Sequence, residues 1–200
     1  MTGRAVFSKL APLLYTMVAA LKLLPHGLVT KMWWTVEWLP GKFGIGMRYV
    51  FAKRLCKDCG ANVLIGPGVF VDHWHNLSFG ENVTLHRHCY VDARGGIEIG
   101  DNVSIAHATS LLAFDHSWDN AELPIKYNEL ICYPIHIDDD VWLGCGVRVL
   151  AGATITSRTV VAANAVVTRG EIGGGIYGGV PAKLIRELEP SDLIAESVSV

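Results

Sequence analysis

The chain has 200 residues, half of them hydrophobic and 18% charged, with a formal net charge of −2. That length allows one or two domains, and the balance excludes a disordered chain. The charge is unevenly divided: residues 1–57 carry nine Lys/Arg and one acid, Glu37, for +8, and the remainder carries −10. Such asymmetry between segments suggests an interaction surface.

The first predicted element is helical. Leu10, Leu14, Met17, Leu21, Leu24 and Leu28 lie three or four apart, as on one helix face. The uncharged run between Lys9 and Lys22 is 12 residues, too short to span a bilayer. Basic residues together with Trp33, Trp34 and Trp38 suit a helix lying in a membrane interface. The alternatives are packing on the rest of the protein or on another subunit, and a cleaved signal peptide, against which Lys22 and the continuing amphipathic pattern argue. Residues 1–58 are therefore expected to form a basic, amphipathic helical segment, with peripheral membrane contact through residues 1–40. "CKDC" at Cys56–Cys59 has metal or redox spacing but no second pair nearby, so the five cysteines are expected to be reduced thiols of a cytoplasmic protein.

Beyond Cys59 the chain keeps a six-residue beat. Large apolar residues open each hexad at Ile65, Val71, Phe79, Leu85, Val91, Ile99, Ile105 and Leu111, then from Ile137 through Leu143, Val149, Ile155 and Val161 to Val167. The fifth position is small or β-branched, as at Val83, Cys89, Thr109 and Ala153. The fourth is often Gly, Asn or Asp, the types that best tolerate positive φ. Short strand, sharp corner, short strand is the reading. A period of six fits neither an amphipathic helix nor a β-sandwich, whose turn signals come every 8–12 residues. It signals a parallel β-helix of stacked coils over residues 59–188, with 189–200 a tail. The beat slips by two residues at Val71→Phe79 and Val91→Ile99, predicting bulged corners.

The large break runs from Leu111 to Ile137, where 26 residues replace six. The scaffold must eject a loop, about 112–136, and long loops in compact repeats are usually functional. His116 stands at its root between Asp115 and Asp119, with Trp118 beside it. Ser117 is a poor partner for His116, because neighbouring side chains on an extended chain point apart. Cys145 has no evident activating group.

From "IHIDDDVWLGCGVRVLAGATITSRTVVAANAVVTRG" to "GGVPAKLIREL" the chain resembles the hexapeptide-repeat acyltransferases, most closely the sugar O-acetyltransferases of the maltose/galactoside type and their polysaccharide-synthesis relatives. The resemblance spans about residues 60–188. It implies an all-β core in a left-handed parallel β-helix, a short C-terminal helix, homotrimers with active sites between subunits, and acetyl-CoA as acyl donor with no metal. It also implies that His116 is the general base, taking the proton of an acceptor hydroxyl in a direct transfer. Trp142, Gly144, Cys145, Ala163, Thr168, Arg169, Lys183 and Arg186 fall where the family contacts coenzyme A. Asp115 or Asp119 is suited to orient the base.

The acceptor side departs from the family. His86 stands where many members have Asn, and many members carry an Asp near the position of Arg94. His86, His88, Asp92, Asp115 and Trp118 are the candidate acceptor contacts. These departures and the basic start favour a nucleotide-linked or lipid-linked sugar in surface polysaccharide or glycolipid synthesis, in the cytoplasm or at the inner membrane face. Nucleic acid is not an expected partner. The competing readings are an N-acyltransferase on an amino sugar, an antibiotic acetyltransferase, a non-catalytic scaffold, and a zinc carbonic anhydrase suggested by "HWH" at His73–His75 and "HRH" at His86–His88.

Overall fold

A computed structural model describes residues 3–188. Three helices come first: α1 (Gly3–Leu21), α2 (His26–Val36) and α3 (Gly41–Leu55). Pro25 and Pro40 stand immediately before α2 and α3. Proline holds the residue before it in extended backbone, which separates the three segments. The leucine stripe of the sequence is therefore shared by two helices. Leu14 is buried, Met17, Leu21 and Leu24 pack against the core, and Leu10 and Leu28 stay exposed.

Arg48 of α3 joins the helices to the rest of the molecule. Its side chain is fully buried. Its Nε donates to Ile65 O at 2.7 Å, and its Nη1 donates to the carbonyls of Val36, Glu37 and Leu39 at 2.8–3.2 Å. One guanidinium thus satisfies the open carbonyl end of α2 and reaches the first hexad.

The rest is a parallel solenoid of about six coils. The first coil is β1 (Asp58–Cys59), β2 (Leu64–Ile65) and β3 (Phe70–Asp72); the second is β4 (Leu77–Phe79), β5 (Thr84–Leu85) and β6 (Tyr90–Asp92). The third is β7 (Ile97–Ile99), β8 (Ser104–Ile105) and β9 (Ser110–Leu112). A hairpin, β10 (Phe114–His116) and β11 (Leu130–Cys132), then leaves the stack. Coil four is β12 (Ile135–Ile137), β13 (Val141–Leu143) and β14 (Arg148–Leu150); coil five is β15 (Ala153–Ile155), β16 (Thr159–Val161) and β17 (Val166–Val167). The last coil holds β18 (Gly170–Ile172) and β19 (Gly175–Gly178), and β20 (Lys183–Glu187) folds back on it.

Corresponding strands stack into three sheets. Sheet I orders β1-β4-β7-β12-β15-β18, sheet II β2-β5-β8-β13-β16-β19-β20, and sheet III β3-β6-β9-β14-β17. The first hexad positions all point inward and are buried, as are the fifth. The core is a column of aliphatic residues with Thr109 and Thr159 among them. At the corners, Asn82, Asn102, Asp140 and Asn164 take positive φ, and so do Gly68, Gly146 and Gly152. At the corner from sheet I to sheet II the asparagines also bond to one another: Asn62 Nδ2 donates to Asn82 Oδ1 at 3.0 Å and Asn82 Nδ2 to Asn102 Oδ1 at 3.2 Å. The two-residue slips are enlarged corners, one with a short 3-10 turn at Trp74–Asn76 and the other with Gly96 at φ 96°.

The C-terminal helix expected from the resemblance is not found among the described residues. Lys183–Glu187 is instead strand β20, antiparallel to β19, and it covers the open edge of sheet II. The tail at 189–200 lies outside the described residues.

Candidate active site

His116 ends β10, the first strand of the ejected hairpin, and pairs with Leu130 of β11. Its Nδ1 is enclosed and has no hydrogen-bond partner among the described residues. The two flanking acids do not orient the ring. Asp115 Oδ1 accepts the backbone N–H of His116 itself at 2.8 Å, and Asp119 Oδ2 accepts the Ser117 hydroxyl at 2.9 Å. The Asp115 carboxylate braces the hairpin backbone, and that of Asp119 holds the Ser117 side chain. Trp118 is largely exposed beyond them.

The hairpin leaves at the edge between sheets III and I, where Arg94, which sequence reading missed, gathers with Asp92 and His73. Arg94 lies over the Phe114 ring at 4.9 Å, and its buried Nε has no partner among the described residues. One coil away, His73 Nδ1 donates to Asp92 Oδ1 at 2.9 Å, and the same oxygen accepts the Arg94 N–H at 3.1 Å. Asp92 is buried and engaged, so the group of this pair nearer solvent is His73. His73 sits in a left-handed corner, one of the two-residue slips, which is the signal that could have found it. Asp72, His73 and Asp92 bring three ligand atoms within 4.8 Å of one another. The histidine–carboxylate hydrogen bond already joins two of the three.

The expected coenzyme residues fall in three places. Gly144, Cys145 and Ala163 lie on the edge between sheets II and III, on adjacent coils. Gly144 is buried, its N–H donates to Val161 O at 2.8 Å, and its carbonyl accepts the Thr109 hydroxyl at 3.2 Å. A Cβ at Gly144 would come 2.7 Å from Ala163 N, so the glycine serves the stacking of the coils. Its backbone is already bonded; Ala163 is the exposed member of the pair. On sheet II, Trp142 is exposed and lies in register with Val160, then Ile176, then Arg186. That row crosses four strands, or about 14 Å. Lys183 is exposed on the same last strand. Thr168 and Arg169 sit on the third edge, between sheets III and I. The Arg169 guanidinium is held 3.7 Å above the Tyr133 ring, at the base of the hairpin.

His86 and His88 are both exposed and share the II–III edge with Gly144 and Ala163. Their coil lies two above: His86 N–H donates to Ile105 O, and Ala106 N–H to Leu143 O. The helices reach this edge. His86 lines a cavity of about 300 Å3 with Pro40, Ile45 and Arg48, and His88 packs 5.8 Å from Trp38. All five cysteines are free thiols. Burial pushes the Cys59 thiol up to about 12 and the Cys89 thiol to about 11.

A parallel solenoid of about six coils preceded by helices is the architecture of the left-handed β-helix acetyltransferases. A hexapeptide-repeat acetyltransferase of Vibrio cholerae complexed with acetyl coenzyme A superposes with a TM-score of 0.70 at 28% identity, over 89% of this chain and 88% of that one. A galactoside acetyltransferase in complex with coenzyme A gives 0.75 at 26% identity, over 84% and 82%. In sequence, the galactoside O-acetyltransferase of Escherichia coli is 30% identical over 140 residues, 70% of this chain and 68% of that protein. The Mycobacterium tuberculosis protein named "Probable acetyltransferase Rv3034c" is 39% identical over 120 residues, 60% of this chain but only 40% of its own length. No family model matches the chain. The chain belongs to the hexapeptide-repeat acetyltransferases, the family of the galactoside enzyme.

Proposed function

We propose that the chain transfers the acetyl group of acetyl-CoA to a sugar hydroxyl, in surface polysaccharide or glycolipid synthesis, with His116 as general base. The observation that carries this is the place of His116, at the root of the long excursion from the coils, with a ring nitrogen enclosed and without a hydrogen-bond partner among the described residues. A neutral imidazole there takes the acceptor's proton as its oxygen attacks the thioester carbonyl. The new C–O bond forms a tetrahedral oxyanion, for which backbone N–H groups of the II–III edge are suitable donors. Collapse breaks the C–S bond, and the proton passes from His116 to the departing thiolate.

The coenzyme is expected to run along the II–III edge and sheet II. Cys145 and Ala163 flank its thioester arm, the Trp142 ring lies beside the arm, and Lys183 and Arg186 meet its phosphates. Arg169, held over Tyr133, meets a phosphate by turning its guanidinium away from that ring. His86, standing where many members have Asn, and His88 face the acceptor. Base and coenzyme strip lie on different edges of one chain, which supports a homotrimer with active sites between subunits.

The test is His116→Ala. Calorimetric titration should still show one acetyl-CoA site per chain, while acetyl transfer to a glycan panel, followed by mass spectrometry, falls by about 10²–10⁴-fold. A variant that kept most of its turnover would remove His116 from the mechanism.

A further inference from the structure

Over Arg4–Leu21, α1 is long and apolar enough by length and composition to cross a membrane, and 11% of that stretch is buried. It is nevertheless tied along the body. Arg4 Nη2 donates to Asn102 Oδ1 at 3.0 Å, Phe7 meets Tyr49 edge-on at 5.1 Å, and Leu14 and Val18 are buried. A helix crossing the bilayer would lose these contacts. A helix lying in the interfacial plane keeps them.

The opposite side of α1 has no partner among the described residues. Leu13, Thr16 and Ala20 follow one another at helical spacing and are exposed, and Leu23, just past the helix, is exposed at 85%. On α2, Leu28 and Trp34 are exposed, and Phe43 on the first turn of α3 is exposed at 70%. Each helix also carries cations: Lys9 and Lys22 bracket the uncharged run of α1, Lys31 lies on α2 and Lys42 on α3. Between α1 and α3 lies an apolar cavity of about 340 Å3, lined by Val6, Phe7, Leu10 and Ile45 with Lys42 among them. A second copy is a poor occupant for the exposed face, because its own helical segment carries the same +8 and like charges would meet. An anionic lipid surface supplies the opposite sign and an apolar layer for the leucines and tryptophan.

We infer that the helical segment docks on anionic phospholipid, with the exposed face of α1 in the headgroup–acyl boundary and the lysines on the phosphates. The inference stands apart from the acetyl-transfer reading.

The test is flotation of the full chain with phosphatidylcholine vesicles, with and without about one third phosphatidylglycerol. Binding is expected to the anionic vesicles only, and to weaken about tenfold or more when salt screens the charges. Two variants separate the contributions: Leu13→Glu with Leu23→Glu, and Lys9→Glu with Lys22→Glu and Lys31→Glu. Each should release the protein from vesicles while acetyl-CoA titration and sedimentation mass stay unchanged. Absence of flotation with the parent chain, or undiminished flotation of both variants, overturns the inference. So does a changed sedimentation mass in the leucine variant with vesicle binding retained, which would assign the face to contact between copies.

Discussion

Asp115 is the nearest acid to His116 in sequence, yet it holds the histidine's backbone rather than its ring. Adjacent residues on a strand diverge, so a carboxylate one position away reaches the neighbouring N–H more easily than the neighbouring imidazole. The five thiols divide by environment in the same way. Cys59 and Cys89 are buried and their pKa values are raised from 9.0 to about 12 and about 11, whereas Cys132 on β11 is exposed. A thiol whose folded pKa lies above its unfolded one adds stability that is complete below about pH 9 and is lost as pH rises through the folded value. The parent should therefore lose melting temperature more steeply from about pH 9 to 11 than the Cys59→Ala, Cys89→Ala double variant does. Parallel slopes would show that these thiols do not govern the alkaline limb. At pH 8, thiol labelling with peptide mapping should find Cys132 modified and Cys59 and Cys89 protected until the chain unfolds.

At the scale of elements, two interlocks carry more than their size suggests. Replacing Arg48 by Leu takes a donor from four carbonyls; those of Val36 and Glu37 keep a backbone N–H, and those of Leu39 and Ile65 lose their Arg48 bond. A loss of about 3 kcal/mol or more is expected in urea unfolding, since each buried unpaired acceptor costs about 1–3 kcal/mol. Gly144→Ala should lose about 1–3 kcal/mol by crowding, because its Cβ would press on Ala163 N at 2.7 Å. Unchanged unfolding midpoints would contradict either account. The coils were legible in the sequence because each inward residue recurs every six positions and each corner needs positive φ, a periodicity that local sterics impose. The hairpin was legible as an interruption of that rule. Arg48, the His73–Asp92 pair and the Arg169–Tyr133 contact were not legible, because each joins residues from different coils or helices and no repeat relates them. Strand β20 was hidden for a related reason: its partner β19 had already left the hexad beat.

The proposed functions lie along different edges of the molecule. The proposed base, His116, sits where sheets III and I meet, and the proposed coenzyme strip runs where II meets III and over sheet II. A closed ring of three chains of 21.8 kDa lets the base edge of one chain face the coenzyme edge of the next, so that every edge pair is used. Sedimentation should therefore give the mass of three chains. Sharing can be tested more directly by co-expressing two inactive chains, His116→Ala and Ala163→Trp, the second blocking the coenzyme strip. In a randomly mixed ring, each site combines an intact base with an intact strip about a quarter of the time, so about a quarter of parental activity should return. A site contained within one chain can never be repaired by mixing, because every chain carries one lesion. Recovery near zero, in mixed trimers isolated through different tags on the two chains, would place base and coenzyme on the same subunit.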